Sequence, residues 1–358
     1  MDDLKPLRAK IDKIDEKIVK LLNRRAGLGK EIAAVKNKTS TPVFLPAREK
    51  AILDRIDKLN CGPLSNNSVG HVFREIFSAT RSVEKAIKVA CLGPAGSFSH
   101  LAAIDYFGSS TKQVLKTSFD AVFSDVERGI VDYGLAPIEN TIEGTVGQTL
   151  DLLIDSPVKI FAETYYEIHL NLLSKASKPE KIKTLFTHYM PLGQCRGWIS
   201  RNLPKARIIE TSSSAEAAIK AKKSATAGAI GAYEAARIYG LDILAEKIEE
   251  RAGNQTRFLI ISTKESPEAG ADKTSILFSI NDESGALHKI LRPFAVKKLN
   301  LSKIQSRPGP ERKWKYVFFV DFDGRQQSAE AVWVFKQIKP QTLFFKSLGS
   351  YPSARAVK

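Results

Sequence analysis

Apolar side chains at Leu4, Leu7, Ile11, Ile14, Ile18, Leu21, Leu28, Ile32 and Val35 recur in steps of three and four along the N-terminal stretch. That spacing predicts one amphipathic helix over about Leu4 to Asn37, with a seam for other helices. At roughly 1.5 Å per residue it is about 50 Å long, longer than a small domain is wide. Such a helix needs a partner along its length, so a homodimer or higher homo-oligomer is expected. The stripe skips position 25, which holds an arginine. Burying a guanidinium is costly unless something anionic meets it. Arg25 is therefore expected either to anchor a buried ion pair or to bind an anionic substrate.

The 358 residues suffice for two or three domains. Apolar content of 43% and charged content of 26% are those of an ordinary soluble globular protein. No apolar run approaches the ~18 residues that cross a bilayer, and Asp2-Asp3 leads straight into the amphipathic helix without a signal-peptide pattern. Cys61, Cys91 and Cys195 are odd in number and contain no CxxC. They read as reduced thiols of a cytoplasmic protein, with no metal and no cofactor expected. The net charge of +16 raises nucleic-acid binding as a reading. The excess is divided between the two ends, however, with no basic tail and no RNP or zinc-finger pattern. Small polyanionic substrates account for it equally well, so neither nucleic acid nor membrane is expected as a partner.

The texture changes twice along the chain. Residues 1–87 read as all-helical: Pro42 breaks the long helix, Pro46 opens a second running to about Asn60, and Ser65 or Asn67 caps a third. From Lys88 to Thr263 strand-like and helix-like runs alternate, which predicts an α/β region over 88–264. Glu265–Lys273 reads as a linker. Residues 274–352 then follow the order strand (Ser275–Asn281), helix (Gly285–Lys298), strand (Leu301–Gln305), strand (Tyr316–Phe322), helix (Ala329–Ile338), strand (Leu343–Leu348), a ferredoxin-like α+β order.

In the helical part, Arg25 and Lys36 lie close to three turns apart and share a face. With Arg8, Arg48, Glu49, Thr80 and Glu84 the set resembles the all-helical chorismate mutases. That resemblance implies that Arg25 and Arg8 hold substrate carboxylates, with Arg8 reaching across from a second copy. It also implies that Lys36 donates to the breaking ether oxygen and Glu49 binds the ring hydroxyl. A Claisen rearrangement needs a folded substrate conformer and positive charge where the oxygen becomes negative. Relatives often carry Gln at position 84. Glu84 can donate only when protonated, so either its surroundings raise its pKa or the rate falls with pH. Leu45 stands where some relatives have Asp, which leaves more of the hydroxyl contact to Glu49.

Five motifs follow in order: Gly93-Pro94-Ala95-Gly96-Ser97-Phe98-Ser99, Pro137-Ile138-Glu139-Asn140-Thr141, Thr187-His188-Tyr189-Met190-Pro191-Leu192-Gly193-Gln194-Cys195, Thr211-Ser212-Ser213-Ser214-Ala215-Glu216-Ala217-Ala218 and Gly253-Asn254-Gln255-Thr256-Arg257-Phe258. The series resembles prephenate dehydratase. It implies a two-lobed fold like the periplasmic binding proteins, with substrate in the cleft. By the same resemblance Thr256, Asn140, Thr187 and Gln194 carry catalysis, and Glu139, His188 and Ser213 adjoin the substrate. The hydroxyl of Thr256 is read as a hydrogen-bond donor to the departing oxygen, backed by its neighbours. Thr187-His188-Tyr189-Met190 replaces the usual Ser-His-Pro-Gln.

Gly285-Ala286-Leu287 and Gln305-Ser306-Arg307-Pro308 resemble the phenylalanine-binding motifs of the ACT regulatory domains appended to prephenate dehydratases, with Ser284 and Gln305 in place of the usual Pro and Glu. Together the three parts resemble the bifunctional chorismate mutase/prephenate dehydratase family. The implied partners are chorismate and prephenate as substrates and L-phenylalanine as allosteric inhibitor. Two rival readings stay open on sequence: a non-catalytic amino-acid-binding regulator, and a nucleic-acid-binding protein using the basic helices.

Overall fold

The computed structural model describes residues 4–39, 42–270, 272–308 and 316–354. The chain forms two compact units, one of residues 1–88 with 104–112, the other of residues 89–103 with 113–358.

In the first unit α1 (Leu4–Thr39) is one unbroken helix of 36 residues, as the stripe predicts. Much of the stripe is exposed within the single chain; Leu7 is 55% and Leu21 63% exposed. Helix α2 (Pro46–Leu59) starts on Pro46, whose missing N–H costs nothing in a first turn. Ser65 caps α3 (Asn66–Glu84), its Oγ accepting from the Ser68 N–H at 3.1 Å. Gly29 lets α1 and α3 approach closely, since a Cβ there would stand 2.6 Å from Thr80 Cγ2.

The chain then builds an α/β lobe: β1 (Lys88–Leu92), α4 (Phe98–Phe107), β2 (Lys112–Lys116), α5 (Phe119–Glu127), β3 (Tyr133–Asn140), β4 (Gly144–Thr145), α6 (Gly147–Asp155) and β5 (Lys159–Glu167). Lys88 and residues 104–112, the end of α4 and the turn into β2, group with the first unit, and the rest of the lobe belongs to the second. A second lobe holds β6 (Asn171–Ser174), β7 (Thr184–Thr187), α7 (Tyr189–Gln194), α8 (Arg196–Asn202), β8 (Arg207–Glu210), α9 (Ser214–Ala221), β9 (Ala227–Gly231), α10 (Tyr233–Tyr239) and β10 (Asp242–Ala245). The chain returns to the first lobe in β11 (Gln255–Ser262). The sheets run β2-β1-β3-β11-β5, with β4 on β3, and β10-β6-β9-β7-β8. Strand β11 is antiparallel to both β3 and β5. Two chain crossings therefore join the lobes, the topology of a periplasmic-binding-protein-like fold.

The remaining elements are β12 (Asp272–Ser279), α11 (Ala286–Val296), β13 (Leu301–Pro308), β14 (Tyr316–Asp323), α12 (Ala329–Ile338) and β15 (Phe344–Pro352). Their antiparallel sheet, ordered β13-β14-β12-β15, has the ferredoxin-like arrangement. Alternation along β12 explains how it sits. Ile276 and Phe278 pack with Ile290, Phe294 and Val334 of the two helices, while Leu277 joins Ile138, Ile160 and Leu259 in the core of the first lobe. This sheet and that lobe thus share a hydrophobic core.

Three boundaries differ from the sequence expectation. The segment read as a linker ends inside β12, where Asp272 pairs with Arg325 at 3.2 Å and Lys273 with Glu163 at 2.8 Å; charged residues with buried partners look like linker residues in sequence. Strand β13 runs on through Gln305–Pro308 instead of stopping at Gln305. It is an edge strand, where a terminal proline is tolerated. Strand β15 continues to Pro352 through Gly349, whose φ of +117° and close approach to Ile160 require glycine.

Candidate active sites

The helical unit encloses a cavity of about 490 Å³ lined by α1, α2, α3 and the segment before α2. Arg25 enters it from α1, held by a 2.5 Å bond from its Nη1 to Thr80 Oγ1 and by the Phe77 ring 5.2 Å away. Thr80 in turn donates to the Ile76 carbonyl at 2.8 Å, which aims its oxygen at the guanidinium. Lys36, on the same face of α1, donates to the Val43 carbonyl at 3.0 Å and stands 3.7 Å from Glu84 Oε2. That carboxylate oxygen is buried without a hydrogen bond among the described residues. Burial raises the Glu84 pKa, and Lys36, Arg81 and Arg25 only partly oppose it. A raised pKa is the direction that lets a glutamate here hold a proton to donate.

Glu49 and Leu45 also line the cavity, as does Arg48, which is largely exposed. Glu49 is clamped by Arg81, which also donates to the Phe107 carbonyl and lies over the Phe44 ring. Burial pushes Glu49 up, and Arg81 is the chief cation opposing it. Arg81 has no place among the residues singled out from sequence. A signal was present: it follows Phe77 by four residues, so a charge occupies the inward face of α3. Arg8 is exposed on α1, 17 residues and about 25 Å from Arg25 along the helix, and takes no part in this cavity.

A cleft of about 580 Å³ opens between the two lobes of the second unit. Gly93, Ser97 and Ser99 line it at the start of α4, Asn140 and Thr256 from the first lobe, and His188, Gln194 and Ser213 from the second. Asn140 Nδ2 donates to Thr256 Oγ1 at 2.9 Å and to Asn254 Oδ1 at 2.8 Å. Asn140 Oδ1 accepts the Ile142 and Glu143 backbone N–H groups at 2.9 and 3.0 Å, which fixes the amide orientation. Thr256 Oγ1 therefore accepts a hydrogen bond from Asn140, and its own O–H is not used in that bond. Ser213 caps α9, accepting from the Glu216 N–H at 3.0 Å. Burial lowers the His188 pKa against the opposing charges of Glu210 and Glu143, which favours the neutral ring.

Two residues named from the motifs do not reach the cleft. Glu139 precedes Asn140 on β3 and points to the opposite face of the sheet. It lines a separate cavity of about 250 Å³ and pairs with Lys303 of β13 at 2.6 Å. Thr187 is fully buried, and its hydroxyl donates to the His188 carbonyl at 3.1 Å. Arg257 likewise faces away from Thr256. It reaches Glu163 at 2.6 Å and Asp321 at 2.7 Å, tying β11 to the ferredoxin-like sheet. Asn254 and Glu143, which sequence reasoning did not single out as site residues, do line the cleft.

Of the regulatory motifs, Gly285 takes a φ of +79° as N-cap of α11, and Ala286 and Leu287 pack on the ferredoxin-like core. Ser306 and Pro308 are exposed on β13. Gln305 Oε1 accepts from Thr145 Oγ1 at 3.0 Å, and Arg307 reaches Asp151 of α6 at 2.5 Å.

Fold and sites define a multidomain protein that joins a cationic helical cavity to a two-lobed, binding-protein-like cleft of amides and hydroxyls. Residues 7–85 match the family model described as chorismate mutase type II, and residues 89–266 the model described as prephenate dehydratase. The chain is 44% identical to the bifunctional chorismate mutase/prephenate dehydratase of Aquifex aeolicus, over 99% of both chains. It is 41% identical to the enzyme of that name from Stutzerimonas stutzeri, over 99% of this chain and 98% of the relative. A solved prephenate dehydratase from Arthrobacter aurescens, in complex with L-Phe, matches with a TM-score of 0.69 and 29% identity, over 76% of this chain and 93% of that one. The chain belongs to the bifunctional chorismate mutase/prephenate dehydratase family.

Proposed function

We propose that the helical cavity rearranges chorismate to prephenate, that the cleft converts prephenate to phenylpyruvate, and that L-phenylalanine inhibits the second step through residues 274–352.

In the first reaction a carbon–oxygen bond breaks as a carbon–carbon bond forms, and the ether oxygen becomes negative. Arg25 binds substrate carboxylate, which selects the folded conformer. The Lys36 ammonium and a protonated Glu84, 3.7 Å apart, converge as donors on the ether oxygen. Glu49, held by Arg81, accepts from the ring hydroxyl, with Arg48 and Thr80 completing the wall. Arg8 serves the site of a second copy. The exposed stripe of α1 supports that homodimer, since an uncovered row of Leu and Ile is costly in water.

In the second reaction carbon dioxide leaves with its bonding electrons retained by the ring, and the ring hydroxyl departs. Aromatisation drives the step; the protein supplies a donor to the departing oxygen. The observation that carries this half is the Asn140-to-Thr256 hydrogen bond, because it uses the Thr256 oxygen as acceptor and so leaves the O–H of this cleft-lining residue for the departing oxygen. Gln194 acts from the second lobe, and His188 and Ser213 line the substrate.

Gly285, Ala286, Leu287 and the Gln305–Pro308 segment are assigned to phenylalanine. The related dehydratase in complex with L-Phe supports this, as does the anchoring of β13 to the cleft wall at Thr145 and Asp151. No helix among the described residues is long and apolar enough to cross a membrane, and we place the protein in the cytoplasm, where Cys61, Cys91 and Cys195 stay reduced. Supplying chorismate to the full chain tests the reading: prephenate and then phenylpyruvate should appear. Consumption of neither chorismate nor added prephenate would leave only a sensing role.

A further inference from the structure

We propose that Asn254 is a positioning residue of the dehydratase site: its side-chain amide ties Gln194 of the second lobe to Asn140 of the first, and through Asn140 sets the direction of the Thr256 hydroxyl. The inference rests on the reading of Thr256 as the donor to the departing oxygen.

Asn254 lies on the segment by which the chain returns to the first lobe, immediately before β11, and is 2% exposed. Its Oδ1 accepts from Asn140 Nδ2 at 2.8 Å, and its Nδ2 donates to Gln194 Oε1 at 2.8 Å. Gln194 Nε2 donates onward to Glu143 Oε1 at 3.3 Å. The backbone N–H of the same Glu143 donates to Asn140 Oδ1 at 3.0 Å, so the chain of side-chain bonds through Asn140, Asn254 and Gln194 begins and ends on Glu143.

The polarity of this chain of bonds has no freedom. At one end a Glu143 carboxylate oxygen accepts, so Gln194 turns its NH₂ there and its carbonyl toward Asn254. At the other end the Ile142 and Glu143 N–H groups are pure donors, so Asn140 turns its carbonyl to them and its NH₂ inward. The two hydrogens of that NH₂ then go one to Asn254 and one to Thr256. Without the Asn254 carbonyl, one buried hydrogen loses its acceptor. The terminal amide torsion of Asn140 is soft and would turn in search of another partner, releasing Thr256. Asn254 also makes the arrangement depend on both lobes, because Gln194 belongs to α7.

The test is Asn254→Ala, with Asn254→Ser as the second variant should the first not fold; serine is too short to span both partners. The turnover of prephenate should drop about 10- to 100-fold in kcat, less than the roughly 10²–10³ for removing a direct donor. The KM should stay within about twofold. Mutase activity of the same preparation should be unchanged, which reports an intact chain. In an Asn140→Ala background, Asn254→Ala should cost nothing more. Wild-type kcat in the folded variants overturns the proposal, as does a raised KM at unchanged kcat or a loss that adds fully to that of Asn140→Ala. Thr256→Val separates the two levels. If it retains dehydratase turnover, the reading of Thr256 itself fails; if it is inactive while Asn254→Ala is normal, only the role of Asn254 fails.

Discussion

Arg307 and Asp151 form an ion pair at 2.5 Å that fastens the edge strand of the ferredoxin-like sheet to the helix behind the cleft wall. It is one of three such fastenings. Lys303, Gln305 and Arg307 alternate onto one face of β13 and meet Glu139, Thr145 and Asp151 in turn. Glu139 adjoins Asn140 on β3, and Thr145 lines the cleft itself. A ligand drawing on Gln305 would compete with Thr145, a residue of the cleft wall.

In Gln305→Glu the carboxylate can still accept from Thr145 and adds attraction for the ammonium of phenylalanine. Charge-assisted hydrogen bonds exceed neutral ones by about 1 kcal/mol, so the half-inhibiting phenylalanine concentration should fall roughly fivefold. Titration of dehydratase activity against phenylalanine checks this, and an unchanged or higher value would count against Gln305 as a ligand contact.

Glu84 should make the mutase pH-dependent. Burial raises its pKa, so ionisation on the alkaline side removes one donor and draws Lys36 into an ion pair. The mutase rate should fall as pH rises through that pKa, and Glu84→Gln should flatten the fall. Stability follows the same sign. Between the ordinary carboxylate pKa and the raised one the folded chain binds more protons than the unfolded chain, so wild-type stability declines with rising pH there, and the glutamine variant is spared. Mutase kcat/KM against pH decides it, with the dehydratase rate of each sample as control.

Removing the clamp on Glu49 should be costly. Arg81→Met leaves a partly buried carboxylate without its chief partner and should destabilise the helical unit by about 1–3 kcal/mol. It also removes one of the cations that lower Glu84, so the alkaline fall in mutase rate should move to higher pH. A pairing with Glu49→Gln should be milder than Arg81→Met alone. Thermal melts and the mutase pH profile are the readouts; a pH profile that stays in place would show that Arg81 acts by packing alone.

Much of this was legible in the chain. The stripe from Leu4 to Val35 predicts α1 almost to the residue because a 3.6-residue period repeated this often fits no other element. The motif residues Asn140, His188, Gln194, Ser213 and Thr256 come together in one cleft although two lobes supply them. What sequence obscured was direction. Glu139 and Asn140 are neighbours in a motif, yet a strand sends them to opposite faces, and only the fold says which face is the cleft. Asp272, Lys273 and Arg257 owe their placement to partners far away in sequence, with charges buried against Arg325, Glu163 and Asp321. The shared core has a practical consequence. A chain cut after Thr263 would lose Leu277, Phe319 and Tyr351 from the packing of the first lobe, so regulation is better dissected by substitution than by truncation.

One chain should carry two independent sites, the first built around Arg25 and the second around Thr256. The direct measurement is turnover of chorismate and, separately, of supplied prephenate by Arg25→Ala and Thr256→Val. The first variant should lose mutase kcat/KM by about 10²–10³ and keep its dehydratase rate, and the second should do the reverse. A folded variant that loses both activities together, or keeps both, would contradict the assignment.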